Sequence, residues 1–344
     1  MDAAGLPPAL RCRNRLGGFC GCGLRSPRET LVRTSGSRVT SPSVVGTAAA
    51  ASACTAARAD ALATAQGGLL SPSFQLSAKG TSAGAKCVWD LAVLVLSDVD
   101  RRSAAAWLLA CAIASQRGGN SAFYATWYAA ALAGVPLGGK DRLRAEGFVA
   151  PVFGLPGRSP APQEQLQGFI TEWLWYCLAR EKKESHRSLS YIESPSWSVT
   201  EQGGDGLALY SDVAGAGALS FRLWELKKHV SSKPISSTIG KAYAQLDDRA
   251  LTYLAKITSA SAHMTGDLGE LLANLADRWL DADPAAGVGV GVATNSPAPS
   301  KCFTTMGRRF PRLSGVGQLE GLLACIEDLP GFTLDVRRFV WSAL

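Results

Sequence analysis

Two short stretches of alternating apolar residues, joined by a run of small residues, limit most strongly what this chain can fold into. The stretches cover residues 206–211 and 219–228, and residues 214–217 between them read Ala-Gly-Ala-Gly. An alternation of period two is typical of a half-buried β-strand, and a glycine-rich connection allows a tight turn. The chain is therefore predicted to contain an antiparallel β-hairpin.

The segments on either side of the hairpin predict helices and further strands. Apolar residues spaced by three and four predict one helix over about residues 166–178 and another over about 236–257. Further along, the pattern predicts a helix over about 266–280, a strand over 288–293, a helix over 316–326 and a strand over 332–340. This order predicts an α/β domain over residues 151–344, with a mixed sheet flanked by helices.

The upstream residues are predicted to form a packed segment and a leader. Residues 81–150 contain an apolar run at 88–96 followed by two helices, and they are expected to pack on the α/β domain. The Gly- and Pro-rich run 135–162 is interpreted as a linker or a long surface loop. Residues 1–80 are rich in Ala, Gly, Ser, Thr and Arg without a sustained period, so a disordered leader is predicted. A transit peptide or a start codon assigned too far upstream would give the same composition.

The positive net charge gives little information about a binding partner, because most of it lies in the leader. The whole chain has 35 Lys and Arg against 28 Asp and Glu, a formal net charge of +7. Residues 1–80 hold nine of the basic residues and three of the acidic ones, which leaves 26 basic and 25 acidic residues downstream. Charge alone therefore does not predict a nucleic-acid surface on the folded part.

Cysteine usage and hydropathy favour a soluble protein of a reducing cytoplasm. The nine cysteines are scattered and odd in number, which argues against a disulfide framework. Cys20 and Cys22 form the only close pair, and with Cys12 they lack the four ligands of a structural zinc site. The apolar run 103–115 is shorter than the roughly 20 residues that a membrane helix needs. An integral membrane protein anchored by residues 103–138 is kept as an alternative.

The predicted hairpin carries three charged residues that interrupt apolar faces. Residues two apart on a strand share a face, so Glu225 and Lys227 continue the face that begins with Leu219, Phe221 and Leu223. Asp205 is likewise in phase with Leu207 and Leu209 on the neighbouring strand. If the hairpin pairs these faces, Asp205, Glu225 and Lys227 converge. Asp212 is the substitute for Asp205 if the strand register differs.

Such a group suits the hydrolysis of phosphodiester bonds. Two carboxylates, here Asp205 and Glu225, can hold Mg²⁺, a hard ion that prefers oxygen ligands and keeps several waters. A neighbouring lysine such as Lys227 can orient the attacking water or help to deprotonate it. The metal neutralises the charge that develops on the phosphate, so the protein supplies mainly position and electrostatics.

The residues that carry this pattern resemble the PD-(D/E)XK nuclease superfamily. Gly204-Asp205 is followed after about 20 positions by Glu225-Leu226-Lys227, although no proline precedes Asp205. The resemblance implies a restriction-endonuclease-like fold, Mg²⁺ or Mn²⁺ as the cofactor, and Asp205, Glu225 and Lys227 as catalytic residues. It also implies a helper residue on the helix after the hairpin, which matches Gln245, and an acidic residue on the helix before it, which matches Glu172.

A narrower resemblance links the same region to the nuclease subunit of the Hachiman anti-phage system. It rests on Gly-Asp-Gly-Leu-Ala-Leu-Tyr at 204–210, Leu-Trp-Glu-Leu-Lys-Lys-His at 223–229 and Ser-Ser-Thr at 236–238. It covers roughly residues 160–342 and implies a helicase partner encoded nearby. No glycine-rich phosphate loop of the ATPase type is present in the sequence, so an ATP-driven step would belong to that partner.

Basic residues near the motif are candidates for contact with nucleic acid, and each also has an ordinary structural explanation. Lys228 follows the motif, while Lys241 and Arg249 recur with Gln245 as a polar stripe on the next helix. A solvated helix face or local ion pairs would explain the same residues. Glu172 can be an ordinary helix-flank charge, His229 is expected to be exposed, and the spacing of Trp173 favours the core over base stacking.

The sequence thus predicts a metal-dependent nuclease with DNA as the favoured substrate and RNA as the alternative substrate. The alternative is a non-catalytic nucleic-acid-binding or adaptor module that retains the nuclease fold.

Overall fold

A mixed seven-stranded sheet organises the part of the chain that the computed structural model describes. The described residues are 54–80, 86–158, 162–195, 197, 205–213, 218–261, 263–297, 299 and 301–344. The strands are β1 (Gln75–Lys79), β2 (Val88–Leu94), β3 (Arg187–Ile192), β4 (Gly206–Asp212), β5 (Leu219–His229), β6 (Ala286–Thr294) and β7 (Leu319–Ile326). Their order in space is β1-β2-β7-β6-β5-β4-β3. The predicted class, a mixed α/β sheet flanked by helices, is confirmed.

Parallel strands form the centre of this sheet and antiparallel strands form its edges. β2, β7, β6 and β5 pair in parallel, while β1 pairs antiparallel with β2, and β4 with both β5 and β3. Parallel strands need a crossover connection, whereas antiparallel strands can be joined directly. The predicted hairpin is the β4–β5 pair, so it lies between the parallel centre and the edge strand β3.

Helices cover both faces of the sheet. The helices of the described residues are α1 (Ala56–Ala65), α2 (Val99–Arg117), α3 (Ser121–Ala133), α4 (Gly139–Phe153), α5 (Gln163–Glu181), α6 (Ile235–Ala260), α7 (Gly266–Ala273), α8 (Leu275–Leu280), α9 (Met306–Arg309) and α10 (Leu329–Val340). Helix α6 packs on the core that contains Leu207, Leu209, Phe221 and Leu223. Helix α5 packs on the opposite side, where the rings of Trp175 and Trp224 lie 5.5 Å apart. We call these two sides of the sheet the α6 face and the α5 face.

The alternation of glycine and valine in β6 follows from this two-sided packing. Val288, Val290 and Val292 are buried in the core of the α6 face. The intervening glycines leave room for side chains of β5: a Cβ atom on Gly289 would lie 2.2 Å from the Trp224 ring. Because the glycines allow this close approach, the large side chains of β5 can lie flat across β6.

Three sequence predictions about helices and strands are wrong. Residues 316–326 were predicted as a helix, but they contain β7, which is buried along its whole length. A strand covered on both faces gives a continuous apolar run that resembles a buried helix. Residues 332–340 were predicted as a strand, but α10 begins at a capping residue, Asp328, whose side chain accepts from the Gly331 amide. The predicted loop at 135–162 contains α4, which buries Phe148 and Phe153.

The predicted leader also ends earlier than residue 80. Within residues 54–80, α1 begins after Thr55, whose side chain accepts a hydrogen bond from the Arg58 amide. β1 pairs with β2 along its whole length, so it forms one edge of the sheet. Residues 1–53, with the Cys12, Cys20 and Cys22 group, lie outside the described residues.

Candidate active site

The hairpin register places Asp205 directly beside Glu225. Gly206 pairs with Trp224 across the two strands, and the Asp205 amide continues the ladder with a 3.2 Å hydrogen bond to the Trp224 carbonyl. The Leu226 amide donates to Asp205 Oδ2 over 2.6 Å. The predicted register is therefore confirmed. Asp212, the substitute candidate, lies at the other end of β4.

Lys227 joins this carboxylate pair from the same face of β5. Its ammonium group donates a hydrogen bond to Glu225 Oε1. The Glu225 side chain is 2% exposed, whereas the Lys227 side chain is 27% exposed. The site thus has a buried carboxylate at its base and a partly solvated ammonium at its rim, where a substrate could reach it.

Burial and mutual repulsion change the acidity of the two carboxyl groups. Burial raises the pKa of Glu225 above its ordinary value, and the neighbouring charge of Asp205 raises it further, while Lys227 acts in the opposite direction. Burial also raises the pKa of Asp205, against the lowering effects of Lys227 and the Leu226 amide. A cation bound between the two groups would favour the ionised form of both.

The donor set fits a small hard cation. Mg²⁺ is commonly bound through one or two carboxylates with water in its remaining positions. Asp205 and Glu225 supply two such groups on adjacent strands. Among the described residues, no group of three or more His, Cys, Asp or Glu side chains could hold a metal ion. Water would therefore have to fill the coordination positions that the two carboxylates leave open.

The structure places the predicted nucleic-acid contacts on different surfaces. Lys228 points to the α5 face, opposite to Lys227, and lies 3.7 Å from Glu164. Lys241 and Arg249 are exposed on α6. Of the five residues predicted to be catalytic, Asp205, Glu225 and Lys227 contact one another.

The two remaining catalytic candidates, Gln245 and Glu172, are only partly exposed, and two further residues near the motif, His229 and Trp173, are buried. Gln245 is half-buried on α6, and Glu172 is half-buried on α5. His229 was expected to be exposed, but it is 3% exposed, and its Nδ1 lies 2.7 Å from the Thr238 hydroxyl. Trp173 lies in the core, as its helical spacing predicted.

Sequence reasoning missed two polar residues next to this site. The Tyr253 hydroxyl, on α6, donates a hydrogen bond to the carboxylate of Glu193, which directly follows β3. Burial and the nearby carboxylates, chiefly Glu193 and also Asp205, raise the pKa of Tyr253. In the sequence, Tyr253 falls on the apolar side of the helix predicted over about 236–257, which gives no sign of a polar role, and β3 was not predicted. The alternation of Ser188, Leu189, Ser190 and Tyr191 was the signal available for that strand.

A second charged group lies on the α5 face. Glu320 accepts from Arg222 over 3.1 Å and lies 2.7 Å from Arg187, while Arg187 also pairs with Glu184. Glu184, Arg187 and Glu320 line a cavity of about 300 Å³ together with Trp175 and Trp224. Because its charges neutralise one another, we interpret this group as part of the packing of the sheet.

The resemblance to PD-(D/E)XK nucleases rests on the motif residues alone, because the comparisons with known proteins found no match. No protein-family model matches the chain, and no curated protein matches it either. Among the described residues, no helix is both long enough and apolar enough to cross a membrane.

Proposed function

We propose that this protein is a metal-dependent nuclease that hydrolyses phosphodiester bonds of nucleic acid, with DNA as the expected substrate. The observation that carries the proposal is the convergence of Asp205, Glu225 and Lys227 on one face of the β4–β5 hairpin. The same three residues carry the resemblance to PD-(D/E)XK nucleases.

The topology around the hairpin supports a restriction-endonuclease-like fold. After β5 the chain forms α6 and then returns to β6, which pairs in parallel with β5. The motif strand therefore has an antiparallel partner on one side and a parallel partner on the other. This arrangement agrees with the order of elements that the resemblance implies.

Each residue of the proposed site has a distinct chemical task. Asp205 and Glu225 would hold Mg²⁺ or Mn²⁺, which supplies positive charge against the phosphate and acidifies bound water. The Leu226 amide fixes the Asp205 carboxylate from the neighbouring strand. Lys227 stands at the exposed rim, where its ammonium group can orient the attacking water or donate to a phosphate oxygen. Lys241, Arg249 and Lys228 are proposed contacts to nucleic acid, and Gln245 and Glu172 are proposed helper residues.

The biological setting follows from the narrower resemblance. The likeness to the Hachiman nuclease subunit supports a role in anti-phage defence, in the cytoplasm and beside a helicase. An adaptor that binds nucleic acid without cleaving it is the competing function, which the exposed Lys241 and Arg249 would also serve.

Plasmid cleavage with a charge-neutral variant tests the proposal. We expect the protein to nick supercoiled plasmid in Mg²⁺ or Mn²⁺ and to stop when EDTA is added. Glu225→Gln keeps the size of the side chain and removes its charge, so we expect it to abolish cleavage. Glu270→Gln, an exposed residue of α7, is the matched control and should cleave normally.

Two results would contradict the proposal in different ways. Cleavage that persists in Glu225→Gln would show that the site lies elsewhere. Salt-dependent binding of DNA without cleavage in either metal would favour the adaptor.

A further inference from the structure

A β-bulge in the edge strand β3 decides which face of the sheet Glu193 occupies. Leu189 pairs with Tyr210, but the next paired residue is Tyr191, opposite Leu209, so Ser190 is the extra residue. Paired residues point to the same face, and Leu209 belongs to the α6 face. The residues after Ser190 are therefore shifted by one position in the strand pairing. Their side chains point to the face opposite to the one that unbroken alternation would give.

This shift brings Glu193 to the face of the candidate active site. Its amide donates to the Leu207 carbonyl over 2.8 Å, so Glu193 lies opposite Leu207. Leu207 shares its face with Asp205, which is two residues away and directly precedes β4. Without the bulge, the alternation that starts at Leu189 would point Glu193 to the α5 face.

Tyr253 fixes the Glu193 carboxylate in this position. The Tyr253 side chain is buried in the core under α6, at 7% exposure, so its ring cannot turn away freely. Its hydroxyl donates directly to Glu193 Oε2. The carboxylate is thus held from the helix side as well as from the strand.

The spacing favours an electrostatic role for Glu193. Glu193 and Asp205 are diagonal neighbours on an antiparallel pair, roughly 7–8 Å apart, a spacing at which long side chains still interact. Among the described residues, however, their carboxyl groups and that of Glu225 do not form a three-ligand group. Glu193 nevertheless adds a third carboxyl group to the face that carries Asp205, Glu225 and Lys227, and a carboxylate so placed attracts a divalent cation.

We propose that Glu193, held by Tyr253, is a positioning residue that raises the affinity of the Asp205–Glu225 site for a divalent cation without binding the ion directly. The inference rests on the proposed function, because it assumes that these two carboxylates hold the metal. It extends that function to a residue outside the motif, delivered by the bulged edge strand.

Titration of the whole protein with Mn²⁺, followed by the electron paramagnetic resonance of free Mn²⁺, tests the inference. We expect Glu193→Gln to raise the Kd for Mn²⁺ about three- to tenfold, because the amide still accepts from Tyr253 but carries no charge. Glu193→Asp keeps the charge and should stay within about twofold of the wild type. Tyr253→Phe should give a smaller rise, and Glu270→Gln should give none.

Cleavage assays at saturating Mn²⁺ complete the test. Glu193→Gln should then cleave at a rate within about threefold of the wild type, because only metal affinity has changed. An unchanged Kd in Glu193→Gln would overturn the inference while leaving the proposed function intact. Cleavage lost even at saturating metal would also overturn it, because Glu193 would then act in the chemistry or in folding. A wild-type protein that binds no Mn²⁺ would instead contradict the proposed function itself.

Discussion

The main-chain amide of Leu226 donates a 2.6 Å hydrogen bond to the side chain of Asp205. The donor lies between Glu225 and Lys227, so the strand that carries two of the three charged residues also orients the third. Any change that moves β5 relative to β4 would therefore disturb the arrangement of all three groups. The hairpin acts as a single unit in setting the geometry of the site.

Asp205→Asn should abolish metal-dependent cleavage without unfolding the protein. The amide oxygen can still accept from Leu226, but the loss of the charge removes one of the two proposed metal ligands. A weakly held metal no longer stabilises the charge that develops on the phosphate, so the cleavage rate should fall on the order of 100-fold or more. Single-turnover cleavage of plasmid measures it. Asp212→Asn, at the other end of β4, is the comparison, and a loss in that variant alone would reverse the assignment.

Lys227→Ala should separate cleavage from metal binding. The rate should fall about 100-fold, because a positioned ammonium group no longer assists the attacking water. The affinity for Mn²⁺ should stay equal or increase, since a positive charge next to Glu225 has been removed. Parallel measurements of the cleavage rate and of the Kd for Mn²⁺ check both parts. Lys256→Ala, exposed on α6, is the control, and a large rise in Kd in Lys227→Ala would contradict this division of roles.

Gly289→Val should lower the free energy of unfolding by about 1–3 kcal/mol or more, as overpacking of a core does. The new Cβ atom would lie 2.2 Å from the Trp224 ring, so the indole would have to move. Gly240→Ala is a control for which the opposite effect is expected. A Cβ atom there meets nothing within 4 Å, and the residue lies inside helix α6. It should raise the stability by up to about 1 kcal/mol. Urea unfolding of both variants measures these free energies. A Gly289→Val variant as stable as the wild type would show that Trp224 packs elsewhere.

The contribution of Glu184 to the free energy of unfolding should depend on pH. Burial alone would raise the pKa of Glu184, but hydrogen bonds from Arg187 and Lys182 lower it from 4.5 to about 2. A lowered pKa means that the ionised form is favoured in the folded state, so the stabilisation is present above about pH 4.5 and is lost as the pH falls towards 2. The difference in free energy of unfolding between wild type and Glu184→Gln should therefore shrink below that pH. A difference that grows on acidification would contradict the ion pairs.

The hairpin and its site were predictable from the sequence because large apolar residues recur at every second position of each strand, although both strands are buried on both faces over most of their length. The phase of Leu207 and Leu209 in β4, and of Phe221 and Leu223 in β5, fixed the direction of the neighbouring charged residues. Helix α6 was predictable because it buries one side. The spacing of apolar residues also located α5, although α5 is buried around most of its circumference.

The other elements gave weaker or misleading signals for identifiable physical reasons. β7 is buried on both faces, so its apolar run carries no period that separates a strand from a helix. The edge strands β1 and β3 are short and largely exposed, and their pairing depends on partners distant in the sequence. Glu193 was missed because its direction depends on a bulge, which has no reliable local pattern.

The bulge at Ser190 also bears on how such a site can change during evolution. An extra residue in an edge strand disturbs few hydrogen bonds, since among the described strands β3 has a partner on one side only. It nevertheless reverses the direction of every side chain up to the end of that strand. A single insertion or deletion here would bring a carboxylate to the site or take it away, with no substitution among the motif residues. The length of this segment in homologous proteins would then be as informative as the identity of their residues.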